Sequence, residues 1–372
     1  MKPLAFTTYF QNNRRRSLTM TLALSLSVFM ILIIQTVTYS VLEGGRLGDA
    51  AVVEQLSKIY PSDSKEIPKE VMDNIRNDPS VERVIAMNSA DLAYHHFFGS
   101  SNTQVFFVPD QDITYVLDKL GLKLTEGRMP KAGTKEILME SKFAKNKNKK
   151  IGDFIGKAVD STEKIPGKYE VVGILEGYSM IGLVSVEEDQ ISQLTYALVI
   201  PRSGKLEQMN QYISNIPRNY LSSWTLDKAQ DNYNNNANFL NSIFGILSIA
   251  IIFVMSFASG NASYALYFSR RYEFGLLYSI GFTRGQILLR VAKEIFLLNL
   301  LGFICGIVLG IGTELILNAC YFEAHGYAFL LIQPNGLIKA ITIPFCTAIF
   351  GLIPAGWILS KIDPMTVVEK YE

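Results

Sequence analysis

Apolar residues in this chain gather into four long blocks, 18–42, 239–268, 286–317 and 337–360, with polar sequence between them. Each block holds about 20 or more apolar residues with few charges, the length needed for a helix to cross a bilayer. The third is broken near its start by Arg290, Lys293 and Glu294 and then runs unbroken from Ile295 to Glu314. The stretch 43–238 has a different, mixed rhythm. Ile67–Arg76 reads as a helix with Pro68 near its start, which Asp78-Pro79-Ser80 ends. Val81–Met87, Asn102–Val108, Glu136–Met139, Tyr169–Leu175 and Thr195–Ile200 read as strands. Ser141–Ala144 starts a short helix before a lysine-rich turn over 145–150. The pattern predicts an α-helical membrane protein with four transmembrane helices and an α+β domain inserted between spans one and two. Residues 227–238 suit either a linker or an outward helical extension of span two, and the extension is preferred.

The segment 269–285, between spans two and three, carries its own signals. Phe274, Leu277, Tyr278 and Gly281 recur at helical spacing, with charge at both ends. Gly281 suits a helix C-terminus, and Thr283-Arg284-Gly285-Gln286 fits a capping box that starts the next helix. Helix, tight break, helix is therefore expected: a firm elbow with an apolar face that a soluble partner could push against. Any short turn between spans needs such caps, so local physics leaves a coupling role and an ordinary turn equally open. In span three, Gly302, Gly306 and Gly310 repeat every fourth residue and leave one helix face without bulk, open to close approach by another helix.

Charge orients the chain. Lys2 and Arg14–Arg16 precede the first span, Arg270, Arg271 and Arg284 lie between spans two and three, and Lys361 and Lys370 follow span four. The loop 318–336 has neither Lys nor Arg. Basic residues favour the cytoplasmic side, so both termini and the elbow are expected there and 43–238 outside. Residues 1–17, with Leu4, Phe6, Tyr9 and Phe10, read as an interfacial helix or as a plain basic flank. A cleavable signal peptide fits block one less well than a span, because its apolar core is too long and no small-residue cleavage site follows. The net charge of +1 and the 49% hydrophobic content add little to this. Cys305, Cys320 and Cys346 all lie in or beside spans, so the exported domain must rely on a core and not on disulfides.

Enzyme motifs are missing. No Gly-x-x-x-x-Gly-Lys-Ser/Thr loop occurs, since Gly156-Lys157, Gly167-Lys168 and Gly204-Lys205 continue with Ala, Tyr and Leu. There is no His-Glu-x-x-His and no Gly-x-Ser-x-Gly. Adjacent His95 and His96 in a strand point to opposite faces and chelate a metal poorly. Glu294, among Arg290 and Lys293, is expected to pair there, and Glu314, near the outer end, to be hydrated.

The run Arg271-x-Glu273-Phe274-Gly275-Leu276-Leu277-x-x-Ile280-Gly281-Phe282-Thr283, followed by Glu294 and a glycine-rich span, resembles the signature of FtsX/MacB-type ABC transporter permeases, the type VII group. Ile362–Glu369 resembles that family's closing tail. Leu124–Pro130, Lys135–Leu138, Ile151–Asp153 and Tyr169–Leu175 are similar to a MacB-like extracytoplasmic core domain. The resemblance implies a non-catalytic, stand-alone four-span half in the bacterial plasma membrane, without a fused ATPase. A separate cytosolic ABC ATPase, carrying the ATP and Mg, would dock on the elbow. Arg271 and Glu273 would be polar contacts and Phe274 and Leu277 apolar anchors, with Gly275, Tyr278 and Gly281 completing the ATPase-coupling set. A second permease subunit, identical or not, would pair with it, with or without an extracytoplasmic adaptor; no nucleic acid and no cofactor on this chain are implied. Export or membrane expulsion of a peptide or amphipathic compound, as in antimicrobial efflux, is the leading function. Lipoprotein release, regulation of cell-wall hydrolases, and an ATP-independent membrane-anchored sensor or adhesin are the alternatives.

Overall fold

The computed structural model describes residues 14–62, 66–97, 99–191, 195–329, 331 and 334–361. Most of the interfacial helix expected over 1–17 and of the tail 361–372, including Ile362–Glu369, lies outside these residues. The chain divides into two units. One comprises residues up to Thr38, Leu240–Leu317 and the chain from 330 onward; the other comprises Tyr39–Phe239 with Asn318–Phe329.

Four helices form the framework of the first unit: Arg14–Gly45, Leu226–Ser269, Arg284–Leu317 and Pro334–Lys361. Each contains a stretch long and apolar enough to span a membrane. The second begins at Leu226, so 227–238 is helix continuous with span two. Span three meets span one along its glycines. A Cβ added at Gly302, Gly306 or Gly310 would fall 2.7, 2.6 or 2.8 Å from Leu24, Val28 or Leu32. Contacts that short leave no room for a side chain, so the helix backbones approach closely over two turns. Val28, Ile31 and Leu32 continue into a buried cluster with Ala340 and Ile343 of span four.

Among the described residues, ten strands make the sheet of the second unit: β1 Ser57–Tyr60, β2 Val81–His96, β3 Gly99–Pro109, β4 Lys123–Gly127, β5 Glu136–Glu140, β6 Phe154–Ile155, β7 Tyr169–Glu176, β8 Gly182–Val186, β9 Tyr196–Pro201 and β10 Ser222–Trp224. Their order is β10-β1-β9-β2-β3-β8-β5-β7-β4, with β6 on β7. Only β3–β8 and β5–β7 run parallel among these pairs. The strand expected to end at Met87 continues to His96. Its first half pairs with β9 and its second half with β3, so β2 joins two lobes of one sheet. Helices Lys69–Asn77 and Leu206–Asn215 bury Met72, Ile75, Met209 and Ile213 against Ile59, Ala197 and Val199. Helix Asp110–Lys119 buries Ile113 and Val116 with Phe106, Leu183 and Leu198. The loop after span three completes this unit. Buried Tyr94 donates its hydroxyl to the Gly326 carbonyl (3.0 Å) and accepts the Ala328 N–H (2.9 Å).

The motif at 124–138 has a local cause. Arg128 grips the Glu136 carboxylate with two N–H groups at 2.6 and 2.7 Å, and the Lys131 N–H adds a third bond at 2.9 Å. The Arg128 hydrogen bonds, with Lys131, hold Glu136 down at about 2, against a usual value near 4.5. A depressed carboxylate contributes stability above its unfolded value and loses it as pH falls through its folded one. Arg128→Ala should therefore unfold more readily than wild type at neutral pH, with the gap closing as pH falls from about 4.5 toward 2. Unfolding curves over that range provide the check. For the membrane unit, Gly306→Leu should cost about 1–3 kcal/mol through overpacking. Gly312→Leu, with nothing within 4 Å of its Cβ, should melt like wild type.

Candidate functional site

Span two ends at Ser269, and a short helix, Arg271–Ser279, links it to span three. Its C-terminus closes as a Schellman motif. The Phe282 N–H reaches the Leu277 carbonyl at 3.1 Å and the Gly281 N–H reaches the Tyr278 carbonyl at 3.0 Å. Gly281 adopts φ 103°, a left-handed conformation that a side chain resists. The reciprocal capping box follows at once: the Thr283 N–H donates to Gln286 Oε1 at 3.0 Å, and the Gln286 N–H to Thr283 Oγ1 at 3.3 Å. Two caps back to back leave the elbow few soft torsions.

The other end of the linking helix is fixed by charge. Arg270 is buried, and its Nη1 lies 2.9 Å from Glu294 Oε2 on span three. Its Nε lies 3.0 Å from Glu273 Oε2 on the linking helix itself. The partner of Glu294 is therefore Arg270, not the Arg290 and Lys293 expected from sequence. Arg290 instead lays its guanidinium 4.6 Å from the centre of the Phe282 ring. An ion this deep needs a partner that is itself desolvated, and the inward-turned Arg270 supplies one. Glu314 also differs from the hydrated group expected: it is buried and accepts a hydrogen bond from Thr36 Oγ1 at 2.5 Å.

The linking helix has apolar residues on two faces. Phe274 and Leu277, expected as outward anchors, point inward. They pack with Leu266 and Tyr267 of span two, Ile287 and Val291 of span three and Leu359 of span four. Phe274 is 1% exposed, and Gly275 is buried beside it. These residues hold the helix to the spans, because burial against three neighbours outweighs an open surface. The outward stripe consists of Glu273, Leu276 and Ile280; Leu276 is 60% and Ile280 67% exposed. Arg271 lies 4.3 Å from the centre of the Phe268 ring, Tyr278 is half-buried beside Arg284, and Gly281 is exposed. Leu276, Ile280 and Arg270 stand in or beside the sequence motif, yet their places on the linking helix emerge only from the packing. The available signal was their i, i+4 spacing for the first two, and for Arg270 its place at the end of a span with an intramembrane glutamate on the next. Among the described residues no group of three His, Cys, Asp or Glu gathers to hold a metal. The linking helix thus leaves an exposed apolar stripe on one side and is packed against three spans on the other.

Breaking one partner of a buried pair strands the other charge. Arg270→Met or Glu294→Leu alone should destabilise the purified protein by about 3–5 kcal/mol. The double variant should recover most of that loss; losses that simply add would remove the pair from this role.

The FtsX-like permease C-terminal family matches residues 243–364, a segment that takes in the linking helix and most of the spans it joins. Comparison with curated proteins finds no match. Among solved structures, the periplasmic region of MacB from Actinobacillus actinomycetemcomitans is similar at 11% identity, covering 50% of this chain and 95% of that one, with a TM-score of 0.30. The extracellular domain of the noncanonic ABC-type transporter YknZ from Gram-positive bacteria is similar at 12% identity, covering 46% and 100%, with a TM-score of 0.27. A domain of a permease protein from Porphyromonas gingivalis follows at 14% identity, covering 45% and 87%, with a TM-score of 0.26. The segment that contains the linking helix is thus similar to the C-terminal part of FtsX-like permeases.

Proposed function

We propose that this permease subunit is driven by a separate cytosolic ATPase docked on the linking helix, and that it exports, or expels from the membrane, a peptide or amphipathic compound. One observation carries the reading: an exposed stripe of Glu273, Leu276 and Ile280 on a helix whose opposite face is locked into spans two, three and four. An open apolar stripe rimmed by charge suits a protein partner. The inward clamp of Phe274, Leu277 and Arg270 lets a push on that stripe reach all three spans. Orientation agrees with this assignment. Arg14 and Arg15 before span one, Arg270, Arg271 and Arg284 at the elbow, and Lys361 at the end of span four support a cytoplasmic position for that side by the positive-inside rule. The inserted domain then lies outside, where it would meet the cargo.

Native complexes isolated from membranes should contain an ATP-hydrolysing subunit. Leu276→Asp combined with Ile280→Asp should reduce its recovery, and the ATP hydrolysis of the complex, by roughly tenfold or more, as for the loss of central interface residues. The same variant should unfold at the wild-type temperature, since both side chains are exposed. Isolation of the intact complex with no ATPase, or full recovery of the ATPase by the double variant, would sink the reading.

A further inference from the structure

The inserted domain contains an open pocket of about 370 Å³, a volume in the range of small-ligand sites. One face of the sheet builds it, with Trp224 from β10, Lys58 and Tyr60 from β1, Tyr196 from β9, and Asp91 from β2. Tyr60 and Tyr196 stack with ring centres 5.8 Å apart. Lys58 is buried in the wall, and its ammonium is already engaged by Asp49 Oδ1 at 2.9 Å and Gln104 Oε1 at 2.7 Å. It also lies 5.9 Å from the centre of the Trp224 ring. Two features stay open. The Asp91 carboxylate is half-exposed, and its ion-pair partner, the exposed Lys164, stands off at 3.9 Å, a weak tie. The Trp224 indole N–H is buried without a hydrogen-bond partner.

We propose that this pocket binds a primary amine or guanidinium cation, as an arginine or lysine side chain of a peptide presents. Two carboxylates, Asp49 and Asp91, face one buried ammonium, so the pocket prefers positive charge. Electron-rich ring faces beside a carboxylate are the recurring setting for organic cations. Asp91 supplies the counter-charge. Under the transport reading this names the class of cargo, yet binding in the inserted domain does not depend on ATPase docking.

The test uses the full chain in lipid nanodiscs without nucleotide. The chain has two tryptophans, so Trp357→Phe leaves Trp224 as the reporter of fluorescence titrations. The probes are N-acetyl-arginine methylamide, spermidine and N-acetyl-glutamate methylamide. The arginine probe and spermidine should saturate, and the glutamate probe should give no saturable change. Asp91→Asn should weaken the arginine probe roughly tenfold, the scale of one charge-assisted hydrogen bond, while the unfolding temperature stays put. Spermidine binding as tightly as the arginine probe supports the cation site and assigns it to free polyamines. Equal binding of the glutamate probe, no saturation by either cation, or an unchanged Kd in a folded Asp91→Asn protein overturns the proposal.

Discussion

Arg270 and Glu294 meet inside the helical unit, and the placement of everything around the linking helix follows from that meeting. A charged pair in such surroundings is tolerable only if each ion is nearly fully compensated. Glu294 receives one guanidinium nitrogen and Glu273 takes another, so a single arginine ties span two to span three and to the helix between them. With that end held, Phe274 and Leu277 have only one direction to face. The outward stripe is what remains after the inward face has been satisfied.

The four spans were legible because long apolar blocks have few alternative fates. The two caps at the elbow were equally legible, since Gly281, Thr283 and Gln286 act within a few residues of one another. Which side of the linking helix stays open was not. Phe274, Leu276, Leu277 and Ile280 put apolar groups on both faces of a nine-residue helix, and periodicity alone cannot say which face the chain's own spans will cover. Glu294 misled for a related reason. Arg290 and Lys293 are near it in sequence, whereas the true partner sits 24 residues back and is found only once two helices are packed.

In the inserted domain, strands with strong β-branched runs such as β7 and β9 were visible, as was the helix that Pro68 introduces. Short strands were missed. β1 and β10 have only four and three residues, and their pairing with each other is set by neighbours more than 150 residues away in sequence. The aromatic and acidic pocket was missed with them. Its walls come from separate strands, and no local motif unites Asp49 with Trp224.

The hydroxyl of Tyr94 has a consequence for biosynthesis. Its two partners, Gly326 and Ala328, lie beyond spans two and three in the chain. A ribosome that has finished residue 239 has therefore made nearly all of the inserted domain but not the backbone that satisfies this buried phenol. The domain reaches its final state only after two more helices have been synthesised and the following loop has returned to it. A fragment cut at the end of the obvious domain would expose Tyr94 and lose Ala328 from its core. Maturation of the domain is thus tied to completion of the third span, which gives a half-made chain a built-in difference from a finished one.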